Sequence, residues 1–419
     1  MAVIMSNEHV RMMDRLLELS PCALVPTGRT GSDFFQSMID SHPEVLTFNG
    51  HLLFYRFWQR SICVAAGDFD TCDLIEEFIG LHIKVLKSRY DLFERKHRLG
   101  DQHNESIDID LNLFRSTTTR LLEGREVNSR NFLLAIYGAY AICLGQDLSR
   151  KKLFFHHPHQ FGELDAYLED FPTSKVICMT RDPRANFVSG VEHHRLYNYT
   201  SDHDNGPHVL FTITRILNDA TPLEDSGNEY CVIRVEDLGR IEIIRACCDW
   251  LNISYDRTLT KSTWGGLSWH GDNLSKVNQE TGFNPKMLEN NWERRLSSTD
   301  KYVLNFIMNP RLKQYGYKHR KAGILGAVLV PLLILLPLSC ERRFMSPSYL
   351  HYRLRTGQYE MLARNFISYL KRIKVFFRFY LRVITRKPFN QPLLSMERYP
   401  ISFATQASHG NVEKANPIP

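Results

Sequence analysis

The sequence predicts an α/β fold: a P-loop-like parallel sheet flanked by helices, with a C-terminal appendage of apolar and amphipathic helix. Three observations point to it. Short apolar, β-prone runs (residues 23–25, 176–179 and 229–234) are separated by longer stretches whose apolar positions recur every three or four residues. The first run leads directly into a loop of small residues, Thr27-Gly28-Arg29-Thr30-Gly31-Ser32, and then into a helical pattern, a strand–loop–helix order suited to a parallel sheet. Beyond residue 317 the pattern changes to an uncharged apolar stretch followed by a basic amphipathic one.

Residues 1–20 carry acids and bases throughout, so they read as an N-terminal helix and not as a signal peptide or anchor. After the strand and loop, Phe34, Phe35, Met38 and Ile39 recur at helical spacing until His42-Pro43 stops them. Residues 50–150 read as mainly helical, with 132–144 apolar enough for a buried helix. Placed between the first and second strands of a doubly wound sheet, such an insertion is expected to build the acceptor side of a cleft. Residues 152–155 read as a short strand, 161–171 as a helix and 176–179 as a strand. Residues 229–238 give another strand running into Arg234-Val235-Glu236-Asp237-Leu238, followed by a helix over 243–251.

Composition is that of an ordinary globular chain of 419 residues with net charge +6. The charge is unevenly spread: residues 341–390 hold twelve Lys/Arg and two Glu, which leaves the rest mildly acidic. The nine cysteines form no CxxC pair, and Cys178 and Cys231 fall inside predicted buried strands, where Cys acts as a small hydrophobe. This favours a reducing compartment.

A small-residue loop between a strand and a helix start is an anion site, because successive backbone N–H groups and the helix dipole point into it. Gly28 and Gly31 permit positive φ, and Arg29 adds a cation. A nucleotide triphosphatase is excluded, since no Gly-Lys-Ser/Thr follows either glycine, and the GxGxxG pattern is also missing. The second informative stretch is Lys175-Val-Ile-Cys-Met-Thr-Arg181-Asp182-Pro183-Arg184, with Ser189 eight residues after Arg181. Together the two stretches resemble the sulfotransferases that use 3′-phosphoadenosine 5′-phosphosulfate (PAPS), closer to carbohydrate-type and bacterial enzymes than to N-terminally anchored Golgi ones. Arg29-Thr30-Gly31-Ser32 falls on the family's (R/K)-(S/T)-G-(S/T) loop, and Arg181 through Ser189 on its R-D-P-R-x-x-x-x-S segment.

The resemblance implies a sulfotransferase fold over residues 21–317 and PAPS as co-substrate, without a metal. It also implies that Gly28, Arg29, Thr30, Gly31, Ser32 and Asp33 surround the 5′-phosphosulfate, and that Arg181 and Ser189 hold the 3′-phosphate. Arg29 takes the catalytic role of stabilising the leaving oxygen. Asp33 departs from the family pattern, and its expected place is as a cap on backbone N–H groups. For the general base the first candidate is His51, where relatives place an acid or base, followed by His157 and His159, where relatives carry a Lys-Pro segment; Glu44 trails. His156-His157-Pro158-His159 also invites a metal reading, but no matching Cys/His set accompanies it. The family's Gly- and Trp-bearing loop that can cover the nucleotide falls on Trp264-Gly265-Gly266 and Trp269.

Residues 322–338 are seventeen apolar or small residues without a charge, interrupted by Pro331 and Pro337. They are flanked by Lys318-His319-Arg320-Lys321 and Arg342-Arg343. The next segment, 349–386, repeats apolar and aromatic residues (Leu362, Phe366, Leu370, Ile373, Phe377) among cations, as a single helix on an anionic membrane would. The expected anchor is C-terminal, on the cytoplasmic face of a membrane, either spanning once or re-entrant in the plane, with residues 322–386 meeting the surface. Residues 391–419 read as a disordered tail. The expected reaction is in-line sulfuryl transfer from PAPS to a hydroxyl or amine of a glycan, glycolipid or lipid-linked saccharide. The alternatives are an inactive PAP- or PAPS-binding membrane scaffold and, less favoured, a nucleotide-dependent phosphotransferase. Nucleic acid is not an expected partner, because long aliphatics interleave the basic residues.

Overall fold

A computed structural model describes residues 2–26, 28–50, 52–65, 70–87, 97–158, 161–197, 206–217, 228–271, 281–284, 291–319 and 323–385. Five strands, β1 (Ser20–Pro26), β2 (Val45–Leu46), β3 (Leu153–His156), β4 (Lys175–Thr180) and β5 (Tyr230–Arg234), form a parallel sheet in the order β2-β3-β1-β4-β5. The α/β class is therefore the one the sequence predicts. One element differs. Val45 and Leu46 pair with Leu153 and Phe154 as an edge strand, so the long helical insertion follows the second strand instead of preceding it.

Both sheet faces are buried, as parallel sheets require, and the side chains alternate between two apolar layers. Leu24, Ile177 and Ile233 enter one layer, and Val25, Val176 and Val232 the other. Helices α1 (Ala2–Glu18) and α2 (Ser32–Ile39) lie on opposite faces. With α1 pack α3 (Phe54–Ala65), α4 (Thr71–Leu86), α5 (Leu111–Leu122), α6 (Ser129–Cys143) and α7 (Phe161–Asp170), in a layer rich in aromatic contacts such as Phe48–Tyr140 at 4.5 Å. Every residue of α6 from Phe132 to Ala141 is buried, which explains a helix with almost no polar stripe. Beyond β4 come α8 (Pro183–Tyr197) and α9 (Gly206–Leu217), while α10 (Ile241–Leu251) joins α2 on the other face.

A buried acid ties α7 to α3. Glu163 accepts the Arg56 backbone N–H (3.3 Å) in the first turn of α3, and burial pushes its pKa up from the ordinary 4.5 to about 7. A carboxyl that holds its proton more tightly when folded stabilises the fold below its unfolded pKa and loses that contribution as pH rises through the folded value. In urea unfolding, the stability of the parent minus that of Glu163→Gln is therefore expected to fall by up to about 3 kcal/mol between pH 4.5 and 8, a difference that cancels the opposite trend of buried histidines such as His156.

The hairpin β6 (Thr263–Trp264) and β7 (Leu267–Ser268) holds the far end of α2. Trp264 is buried in the α2–α10 layer, and Thr263 Oγ1 and the Gly266 N–H both donate to Asp40 Oδ2 at 3.0 Å. Asp40 caps the C-terminal end of α2, the end away from the loop, so this hairpin buttresses that end of α2, and residues 272–280, which continue the stretch expected to cover the nucleotide, lie outside the described residues.

Helices α11 (Asn291–Arg295), α12 (Ser298–Ile307) and α13 (Asn309–Gln314) lead into α14 (Ile324–Ile334), α15 (Ser339–Arg342), α16 (Pro347–Arg355) and α17 (Tyr359–Ile384). This C-terminal unit shares a third apolar cluster with the sheet domain: Val330, Ile334, Phe376 and Phe379 meet Phe187 of α8, Ile213 of α9 and Leu304 of α12. Among the described residues, Ile324–Met345 is the one helical stretch long and apolar enough to cross a membrane by length and composition. The chain nevertheless turns after Ile334. The basic segment is also not the single helix its periodicity suggests, because Gly357 (φ +70) ends α16 before α17 begins.

Candidate active site

The C-terminal ends of β1, β3, β4 and β5 open on one side of the sheet. Such ends form the crevice where open α/β sheets take ligands. The loop after β1 holds three residues in the left-handed region: Gly28 (φ +78), Arg29 (φ +53) and Gly31 (φ +83). Glycine adopts this readily, but Arg29 does so at a cost of about 1–3 kcal/mol, strain of the kind that collects at functional sites. Gly31 is the N-cap of α2 and makes no side-chain capping bond, so the first-turn N–H groups of α2 are left facing the loop. Thr30 and Ser32 are buried, and Thr30 Oγ1 has no hydrogen-bond partner among the described residues.

Side chains from the other strand ends meet this loop. Arg29 Nε donates to Ser189 Oγ of α8 at 3.4 Å. Arg181, just past β4, is pulled below the usual guanidinium pKa by burial, opposed by the nearby Glu236 carboxylate and reinforced by the positive charge of Arg29. It stays a cation, as arginine does in proteins. Glu236 is engaged elsewhere as well, accepting the Asp182 N–H (3.0 Å) and the Tyr317 hydroxyl (2.9 Å). The neighbouring charges are structural. Arg184 forms a bidentate pair with Asp182 and stacks 4.2 Å from the Trp292 ring centre, and Arg234 pairs with Asp237 and donates to the Tyr315 carbonyl.

The structure adds a cation the sequence reading did not select. The Arg215 guanidinium of α9 lies so close to Gly28 that a Cβ there would fall 2.1 Å from its Nη1; it also sits 3.7 Å from the corresponding position at Gly190, beside Ser189. An isolated Arg in the apolar helix Gly-Pro-His-Val-Leu-Phe-Thr-Ile-Thr-Arg-Ile-Leu carries no motif. The only sequence signal was a charge in an otherwise uncharged helix.

Alternation along β3 separates the first two histidines of the cluster. His156 points into the aromatic layer, 2.7 Å from the Tyr137 hydroxyl, and burial pushes its pKa down to about 3. His157 turns toward α2, where its Nδ1 lies 2.7 Å from Gln36 Oε1. Gln36 Nε2 donates to the Phe48 and Gly50 carbonyls, each at 3.0 Å, so its Oε1 is the acceptor and His157 carries its proton on Nδ1. Nε2 is then the basic nitrogen. Asp33 lies in the first turn of α2 with Oδ1 3.9 Å from His157 Nδ1, and it caps no backbone N–H among the described residues, contrary to expectation. Glu44 belongs to the opposite, N-terminal end of the sheet, held by Lys152 (2.6 Å) and the Ser254 N–H (2.7 Å). His51, His159 and Thr27 lie outside the described residues. Among the described residues no group of three or more His, Cys, Asp or Glu comes together to hold a metal.

No protein-family model matches the chain, and no curated protein matches it by sequence. Among solved structures it is similar to the sulfotransferase domain from the Synechococcus PCC 7002 olefin synthase, with 17% identity and a TM-score of 0.32 over 66% of this chain and 88% of that one. It is also similar to the sulfotransferase domain from the curacin biosynthetic pathway, with 13% identity and a TM-score of 0.36 over 72% of this chain and 100% of that one.

Proposed function

We propose that the chain is a PAPS-dependent sulfotransferase acting on a hydroxyl or amine of a glycan, glycolipid or lipid-linked saccharide. The observation that carries this reading is the convergence of Arg29, Ser189 and Arg181 from two strand ends that lie more than 150 residues apart in sequence. The residues fit such a donor. The positive φ of Gly28 and Gly31 shapes the loop ahead of the α2 N-terminus, the buried Thr30 hydroxyl is a ready donor, and adjacent guanidinium groups are relieved of mutual repulsion by a polyanion.

When bound, PAPS supplies an activated sulfuryl group. Arg29 and the α2 N-terminus would stabilise the charge that develops on the leaving oxygen. Arg181 and the Ser189 hydroxyl hold the 3′-phosphate, and Arg215 adds a further cation beside Gly28. Gln36 keeps His157 in the tautomer with a basic Nε2, a buried nitrogen that would take the acceptor's proton where the bound acceptor reached it. The test is a calorimetric titration with 3′,5′-adenosine bisphosphate against 5′-AMP. The bisphosphate is expected to bind about 100-fold more tightly, and Arg181→Ala is expected to remove that preference. Equal, weak binding of both nucleotides would sink the donor assignment.

A second reading, a binding scaffold without transfer, is favoured by one observation: the uncapped Asp33 carboxylate in the first turn of α2. It predicts the same nucleotide preference with no labelled sulfate reaching any acceptor in a screen.

A further inference from the structure

We propose that the C-terminal unit docks in the plane of an anionic lipid surface through one continuous face of α14 and α17, without crossing the bilayer. This inference is independent of the chemistry at the β1 loop.

The length of α14 argues first. Eleven helical residues span about 16 Å, roughly half of a bilayer's hydrocarbon core of about 30 Å. A built latch keeps the helix that short. Arg372, fully buried, donates to the Ile334 carbonyl (2.6 Å) and the Leu336 carbonyl (3.0 Å) and pairs with Glu341 (2.8 Å), which itself accepts the Leu338 N–H (2.9 Å). Extending residues 324–345 into a straight span would break this whole set and leave an unpaired Arg and Glu at or near hydrocarbon.

The apolar residues of α14 divide accordingly. Gly326, Val330 and Ile334 face the protein, while Ile324 is 88% exposed and Leu325, Val328 and Leu332 are each at least 63% exposed. Tyr369 donates to the Leu335 carbonyl and so brings the outer side of α17, with exposed Phe366, Ile367 and Leu370, up to the end of α14. An aliphatic surface of this extent marks an interaction site.

Charge selects the occupant. The acids of residues 341–385 are Glu341, buried in the latch, and Glu360, paired with Arg364. Arg342, Arg343, Arg355, Lys371, Lys374 and Arg378 are exposed. A second copy on the same face would set this cation-rich surface against itself, and a nucleic acid would leave the aliphatics in water. Anionic headgroups over acyl chains satisfy both parts.

The experiment is flotation of the full chain with phosphatidylcholine vesicles, with and without phosphatidylserine. Binding is expected to be at least about tenfold stronger with phosphatidylserine, and Lys371→Glu with Lys374→Glu is expected to erase that gain. Val328→Asp with Leu332→Asp, both at exposed positions, is expected to lower binding to either vesicle while the melting temperature and bisphosphate affinity stay unchanged. Bound protein is expected to leave the vesicles in alkaline carbonate. Any one of three results would overturn the proposal: unchanged flotation of the Asp variant, retention in carbonate as a spanning segment would show, or a dimer in sedimentation velocity that the Asp variant dissolves.

Discussion

Gly31→Ala is expected to lower the proposed sulfate transfer by about 10²–10³-fold and to destabilise the fold by about 3 kcal/mol. Two separate costs meet at this residue. Its φ of +83 lies in the left-handed region, where a side chain costs about 1–2 kcal/mol. The added Cβ would also fall 2.4 Å from Val235 Cγ2, on a β-branched, buried side chain with little freedom to turn aside. Two further variants separate these terms. In Gly31→Ala with Val235→Ala the 2.4 Å clash is relieved to a tight 3.0 Å contact with the Cβ of residue 235, and the φ cost remains. Gly124→Ala has φ +71 with no atom within 4 Å of the new Cβ, so it pays the φ term alone and is expected to leave nucleotide binding intact. Urea unfolding reads the stability terms and calorimetric titration reads the site. If Gly31→Ala behaved like Gly124→Ala in both, the loop would not be the donor cradle.

Arg372→Met is expected to destabilise the C-terminal unit by about 3–5 kcal/mol, since it leaves Glu341 buried without its partner and the Ile334 and Leu336 carbonyls without a donor. Burial already pushes the Glu341 pKa upward, and Arg372 opposes that shift. Without the guanidinium, Glu341 is held further toward its neutral form. The variant's deficit should therefore shrink at acidic pH and grow as pH rises. Adding Glu341→Leu is expected to recover most of the loss, because an apolar pair of similar volume avoids the buried charge altogether. Thermal unfolding at pH 5 and 8 measures both effects; a single variant as stable as the parent at pH 8 would show that the pair contributes little.

The parts legible in the sequence were those that local chemistry fixes. The β1 loop announces itself through Gly28, Arg29 and Gly31, and the stretch after β4 through Arg181 and Ser189, because each combines a short apolar strand with a polar turn at its end. Val45–Leu46 was not legible, since two residues carry no periodicity and their strand character comes from pairing with β3. The histidine cluster offered several candidates in a row. Only the alternation of β3 and the Gln36 bond separate His157, turned toward Gln36 and Asp33 of α2, from His156, in the aromatic layer. Arg215 was invisible for a similar reason: its meaning comes from the room left by Gly28 and Gly190 on elements distant in sequence. The break at Gly357 could have been read from Arg-Thr-Gly-Gln, but the regular apolar spacing on both sides concealed it.

Helix α9 gives the two halves of the molecule a common wall. One side bears on α8 so closely that a Cβ at Gly190 would meet Thr212 at 2.6 Å, and Arg215 reaches Gly28. At its start, the Gly206 N–H donates to Asn365 Oδ1 of α17 (2.9 Å), and Ile213 shares an apolar cluster with Phe376 and Phe379. The apolar tail is thus a foundation of the sheet domain as well as the surface proposed to meet lipid. A shortened chain ending near residue 317 would lose the surface against which α9, and with it Arg215, is packed. Recolouring the outside of α14 and α17 with polar residues while keeping their inner faces intact would remove the proposed lipid-facing surface and leave that wall standing.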